Sequence, residues 1–129
     1  MDHVMQSLSP NLFVRDIRLS MAFYEMLGFE KTMSVPENPP YDWAMLTSGP
    51  VTIMLQTLES LGKELPEIQR DKTGGSLLLY IKREEVTRFY ESLRGKVTVL
   101  KGLEKTFYGA TEFTIIDTDG YVLTFAADE

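Results

Sequence analysis

A chain of 129 residues, 43% hydrophobic and 25% charged, has the make-up of one globular domain with a sizeable core, which excludes a disordered segment. A formal net charge of −6 disfavours a nucleic-acid backbone or an anionic membrane as partner, and the absence of cysteine removes disulfides, thiolate nucleophiles and thiolate metal sites together. No apolar run approaches the ~18 residues of a membrane span, and the first residues lack the basic and apolar regions of a signal peptide, so the expectation is a soluble cytoplasmic protein.

Residues 1–6 carry no periodic pattern, and the single histidine, His3, reads there as part of a frayed terminus rather than as a catalytic base. From Leu8 the pattern alternates and predicts a strand over residues 9–14. Leu8, Pro10, Leu12 and Val14 share one face, and Ser9, Asn11 and Phe13 share the other. Pro10 cannot donate to a ladder, which places it at an edge or at the start of the strand. Asp16 is positioned to cap a helix whose buried stripe is Ile17, Met21, Tyr24 and Leu27, and Gly28 ends it. A strand over 29–35, a proline-rich break over 36–40, and a hairpin of 43–47 with 51–56 around Ser48-Gly49-Pro50 complete a βαβββ module spanning residues 8–57.

Residues 58–75 read as a connector, with Leu58, Leu61, Leu65 and Ile68 spaced for a short amphipathic helix that Pro66 interrupts. A second module follows over residues 76–126. Its strand is expected at 76–81 and its helix at 84–93, with Val86, Phe89, Tyr90 and Leu93 inward and Gly95 closing it. Strands at 96–100, about 106–116 and 122–126 finish the module. Asp117-Thr118-Asp119-Gly120 joins the last two, and its aspartates read as turn chemistry rather than as catalysts. The helix end Phe23-Tyr24-Glu25-Met26-Leu27-Gly28 has its echo in Phe89-Tyr90-Glu91-Ser92-Leu93-Arg94-Gly95. The chain is therefore a duplicated α+β fold within a single domain, residues 1–129.

Asn11-Leu12-Phe13-Val14-Arg15-Asp16, then Ser20, Phe23-Tyr24, Leu27-Gly28-Phe29 and the run from Glu112 to Tyr121 resemble the glyoxalase, bleomycin-resistance and extradiol-dioxygenase superfamily, also called the vicinal oxygen chelate fold. The resemblance implies paired βαβββ modules curled into an incomplete barrel around a cavity, commonly as a homodimer. It also implies four metal ligands, histidines and glutamates, on the first and last strand of each module. The matching positions here are Ser9, Met54, Ser76 and Thr124. Hydroxyls and a thioether are poor ligands for a hard or borderline divalent cation, so no metal and no other cofactor is expected. The metal-dependent isomerisation, fosfomycin opening and ring cleavage of the family become unexpected with it.

Alternation supplies the rest of the expected cavity. Asn11, Phe13, Met54 and Gln56 join Ser9 on the non-helix side of the first module, and Leu78, Tyr80 and Thr124 join Ser76 in the second. Trp43 and Met45 are placed on the same side because Ala44 and Leu46 suit the helix side. Tyr41, Phe107 and Tyr108 are expected as aromatic walls near the mouth, where the competing reading is ordinary packing. Glu112 alternates with Phe113 and places one carboxylate inside, as the one catalytic candidate, or else stands as a solvated strand residue. The leading expectation is metal-independent binding of an aromatic or cationic small molecule, drug-sequestering in the manner of bleomycin-resistance proteins. An enzyme of glyoxalase-type lyase, isomerase or epimerase class with an atypical site, and a non-catalytic dimerisation module, remain open beside it.

Overall fold

The computed structural model describes residues 4–62 and 64–129, so His3 lies outside the described residues. The chain divides into two compact units, Met1–Asp71 and Lys72–Glu129. The first unit runs β1 (Asn11–Val14), α1 (Ile17–Met26), β2 (Glu30–Val35), β3 (Trp43–Ser48) and β4 (Val51–Thr57), followed by one short turn of helix, α2 (Leu58–Leu61). Its sheet has the order β1-β4-β3-β2, with β1 parallel to β4 and the other pairs antiparallel.

The first helix forms where its signals stand. The Asp16 carboxylate accepts from the backbone N–H groups of Arg18, at 3.0 Å, and Leu19, at 3.4 Å, which satisfies donors the first turn would otherwise leave open. Ile17, Met21, Tyr24 and Leu27 are all buried, together with Ser20, and face Leu12, Val14, Ala44, Leu46, Ile53 and Leu55 of the sheet. Each large aliphatic residue so buried contributes about 1.5–3 kcal/mol. Gly28 adopts φ 110°, and Phe29 closes the end with its ring edge-on to Tyr24 at 5.9 Å.

Two expectations at the edges of this unit give way. Leu8 is almost fully exposed instead of lying under the helix, because β1 begins only at Asn11. Helix α2 stops at Leu61 rather than continuing through Leu65 and Ile68. Gly62 leaves helical geometry at φ 58°, and Leu65 is half exposed.

The second unit repeats the order: β5 (Leu78–Lys82), α3 (Val86–Leu93), β6 (Thr98–Lys105), β7 (Thr111–Ile116) and β8 (Val122–Ala127). Its sheet reads β5-β8-β7-β6, again with the first and last strands parallel. Phe89 of α3 sits edge-on to Phe125 at 5.0 Å, and Phe125 stacks on Phe113 at 5.4 Å, so the core under this helix is aromatic. Helix α3 begins two residues later than the pattern suggests. Glu85 takes a left-handed conformation at φ 53° and offers no side-chain cap; the Val86 N–H donates instead to Glu129 Oε1 at 3.0 Å.

The turn at 117–120 is built as expected. Asp117 Oδ1 accepts from the N–H groups of Asp119 and Tyr121, both at 2.8 Å. Thr73 donates its hydroxyl to the Asp119 carbonyl, and Gly74 lies so close that a Cβ there would stand 2.6 Å from the Gly120 carbonyl oxygen. Thr73-Gly74, at the end of the stretch read from sequence as a connector, is therefore a docking point against the turn. Neither sheet closes on itself, and no helix among the described residues is long and apolar enough to cross a membrane.

Candidate functional site

In each unit one sheet face is covered by a helix and the other is not, so strand alternation hands a set of side chains to the uncovered face. In the first sheet the register places Phe13 and Trp43 beside Gln56, and Asn11 and Met45 beside Met54. All six are half-buried, while the intervening Leu12, Ala44, Leu46 and Leu55 are fully buried. Asn11 Nδ2 donates to Gln56 Oε1 at 2.9 Å, and Asn11 Oδ1 is buried with no hydrogen-bond partner. No charged side chain belongs to this group of six.

In the second sheet Tyr80 and Thr114 flank Thr124, Glu112 lies opposite Ala126, and Leu78 opposite Val122. The Thr114 and Thr124 hydroxyls are 2.7 Å apart and bond to each other. Glu112 Oε2 accepts from two phenols, Tyr80 and Tyr108, each at 2.9 Å, while Glu112 Oε1 receives no hydrogen bond among the described residues. The Tyr80 hydroxyl is pushed up from 10.0 to about 12, chiefly because its proton is held by the Glu112 carboxylate. Nearby, the Lys101 ammonium is held protonated by Glu104 at 3.0 Å. Phe107 is fully exposed at the tip between β6 and β7, its ring edge-on to Tyr108 at 5.0 Å. Leu78 and Tyr80 are about half exposed, at 52% and 47%.

The positions that metal-bearing relatives would use do not fit a divalent cation. Ser9 and Ser76 each lie two residues ahead of their strands, Met54 offers a thioether, and the Thr124 hydroxyl is engaged by Thr114. Among the described residues, no group of three or more histidine, cysteine, aspartate or glutamate side chains gathers to hold a metal.

Of the residues singled out from sequence, the structure brings Asn11, Phe13, Trp43, Met45, Met54 and Gln56 together on one face, and Leu78, Tyr80, Glu112 and Thr124 on another with Tyr108 at its edge. Ser9 and Ser76 fall outside both ladders. Tyr41 lies apart from Trp43: it lines an outer groove of about 710 Å³ with Ile17, Met21 and Ala22 of α1 and with Pro39 and Pro40, and Lys31 Nζ stands 5.0 Å over its ring. The pairings Asn11–Gln56 and Glu112–Tyr80 are absent from any linear spacing. The first follows from the parallel register of β1 on β4 and the second from the registers of β5 and β7 on the shared strand β8, and those registers were the missing signal.

A family model described as Glyoxalase/Bleomycin resistance protein/Dioxygenase superfamily matches residues 1–125. Among solved structures, a protein of unknown function from Agrobacterium tumefaciens str. C58 is 22% identical with a TM-score of 0.80, over 98% of this chain and 96% of that one. A glyoxalase/bleomycin resistance protein/dioxygenase family enzyme from Burkholderia phytofirmans PsJN is 24% identical with a TM-score of 0.73, over 94% and 98%. A bleomycin-binding protein complexed with bleomycin is 20% identical with a TM-score of 0.66, over 97% and 100%. No curated protein matches this chain. At these identities the structural likenesses establish the fold alone.

Proposed function

We propose that this chain, which belongs to the Glyoxalase/Bleomycin resistance protein/Dioxygenase superfamily, is a metal-independent binding protein that holds a small aromatic or cationic molecule. The observation that carries this reading is the Glu112 carboxylate, pinned on the open face of the second sheet by two tyrosine hydroxyls with its Oε1 still unbonded. A ligand ammonium bonding to that oxygen gains a charge-assisted hydrogen bond, worth about 1.5–3 kcal/mol, and the exposed rings of Tyr80, Tyr108 and Phe107 offer π faces to a cation or an aromatic body. The neighbour described as a bleomycin-binding protein, in complex with bleomycin, supports small-molecule binding as the reading for this chain. A homodimer fits the reading, since the open sheet faces and exposed Leu78 and Phe107 would gain cover from a second copy.

Titration with a panel of aromatic ammonium compounds, followed by calorimetry, tests the proposal. Saturable binding without chemical conversion is expected, weakened about tenfold or more in Glu112→Gln. Silence across the panel would sink it. Proton-transfer catalysis by Glu112 is the second reading, favoured by the same pinned carboxylate; it predicts a product whose formation stops in Glu112→Gln while binding persists.

A further inference from the structure

The first sheet carries a chemistry of its own. Asn11 and Gln56, on neighbouring parallel strands, are bonded amide to amide at 2.9 Å, and the remaining Asn11 oxygen is buried without a partner. That oxygen is sealed from solvent as it stands, so a ligand donor would relieve the cost of the open acceptor only by turning the half-buried Asn11 side chain toward the open face. Gln56 retains its own amide N–H₂ for a ligand carbonyl. Turning both amides by half a revolution exchanges the roles and still leaves one acceptor and one donor unused. Trp43 and Phe13 flank Gln56 in the register, Met54 lies beside Asn11 with Met45 on its far side, and the group bears no charge.

We infer that the Asn11–Gln56 pair recognises a neutral planar amide, of the carboxamide or lactam class, whose N–H and C=O meet the unused acceptor and donor while its ring lies against Trp43 and Phe13. The charge balance decides against the obvious competitors: a carboxylate would meet an unpaired amide oxygen, and a cation would find no anion within this group of six. The inference rests on the binding reading above only in taking an uncovered sheet face as a ligand wall. Its chemistry is independent of Glu112.

Benzamide and acetophenone are nearly the same shape, but only the first carries an N–H. In two-dimensional ¹⁵N NMR of the full chain, benzamide is expected to shift the side-chain amide signals of Asn11 and Gln56 and the Trp43 indole signal. Acetophenone should bind about tenfold more weakly, the loss of one ligand hydrogen bond to a buried acceptor. Asn11→Leu and, separately, Gln56→Met should abolish the preference for benzamide. Because Asn11→Leu also removes the unpaired oxygen, its thermal midpoint should hold or rise, which a purely structural role would not produce. Equal binding of the two probes, shifts confined to other residues, no benzamide binding, or a preference that survives in both variants would each overturn the assignment. Benzylammonium, which keeps its N–H donors, separates this failure from failure of the proposed function: its binding should respond to Glu112→Gln and ignore Asn11→Leu.

Discussion

The two units share a plan and differ in what they leave uncovered. Under α1 and α3 both sheets are sealed by apolar residues, Leu12, Leu46 and Leu55 in one, Phe113, Ile115 and Phe125 in the other. On the opposite faces the first sheet offers neutral amides among aromatic and thioether groups, and the second offers a carboxylate gripped by phenols. Duplication therefore kept the half of each sheet that folding needs and let the other half diverge. The helices differ as well: α1 carries its own cap in Asp16, while α3 borrows one from Glu129.

The sealed faces should respond most strongly to mutation. Phe113→Ala opens a cavity among Phe89, Tyr90 and Phe125 and should cost about 3–5 kcal/mol in denaturant unfolding. A loss under about 1 kcal/mol would show that the two faces of this sheet are not energetically distinct. Gly74→Ala should follow, at about 2–4 kcal/mol, because the new methyl meets the Gly120 carbonyl at 2.6 Å while φ stands at 78°. Gly75→Ala, with φ 112° but nothing within 4 Å, should cost less, and equal losses would remove the docking explanation.

On the open face the effect is read in titration and in the pH dependence of stability. The Tyr80 phenol is raised from 10.0 to about 12, so the stability it contributes is complete below pH 10 and is lost as pH climbs through about 12. Replacing Glu112 with glutamine should bring this titration down toward the ordinary tyrosine value, read by phenolate absorbance under alkaline conditions. An unchanged midpoint would mean that the carboxylate does not hold the proton.

The caps give the smallest changes. Asp16→Ala should destabilise by about 1 kcal/mol and Glu129→Ala by no more than about that, while Glu85→Gly, which relieves a left-handed φ of 53°, should stabilise by about 0.5–1 kcal/mol. Thermal melts of the three rank the helices, and a loss larger for Glu129→Ala than for Asp16→Ala would reverse the contrast between owned and borrowed caps.

Most of the fold was legible because its determinants are local. Ile17, Met21, Tyr24 and Leu27 recur at helical spacing, and Ala44 and Leu46 alternate with Trp43 and Met45, so stripe and face could be read from neighbours in the chain. The start of α3 was not legible, since Glu84-Glu85 suits a first helical turn by composition, and only the contact with Glu129 settles where the helix begins. The candidate sites were legible as members and not as pairs. Asn11 and Gln56, or Tyr80 and Glu112, meet through strand register across long separations, which periodicity does not encode.

The parallel pairing of first strand with last has a consequence for the order in which the molecule comes into being. β1 gains no ladder partner until β4 is present, and β5 none until β8 is, so neither sheet can be assembled from its beginning. During synthesis the first unit has all its strands by Thr57, whereas the second must wait for Ala127. The amide-bearing half is thus expected to stand folded while the carboxylate-bearing half is still a chain, with the ring of Phe113 lacking its stacking partner Phe125 until the final strand arrives.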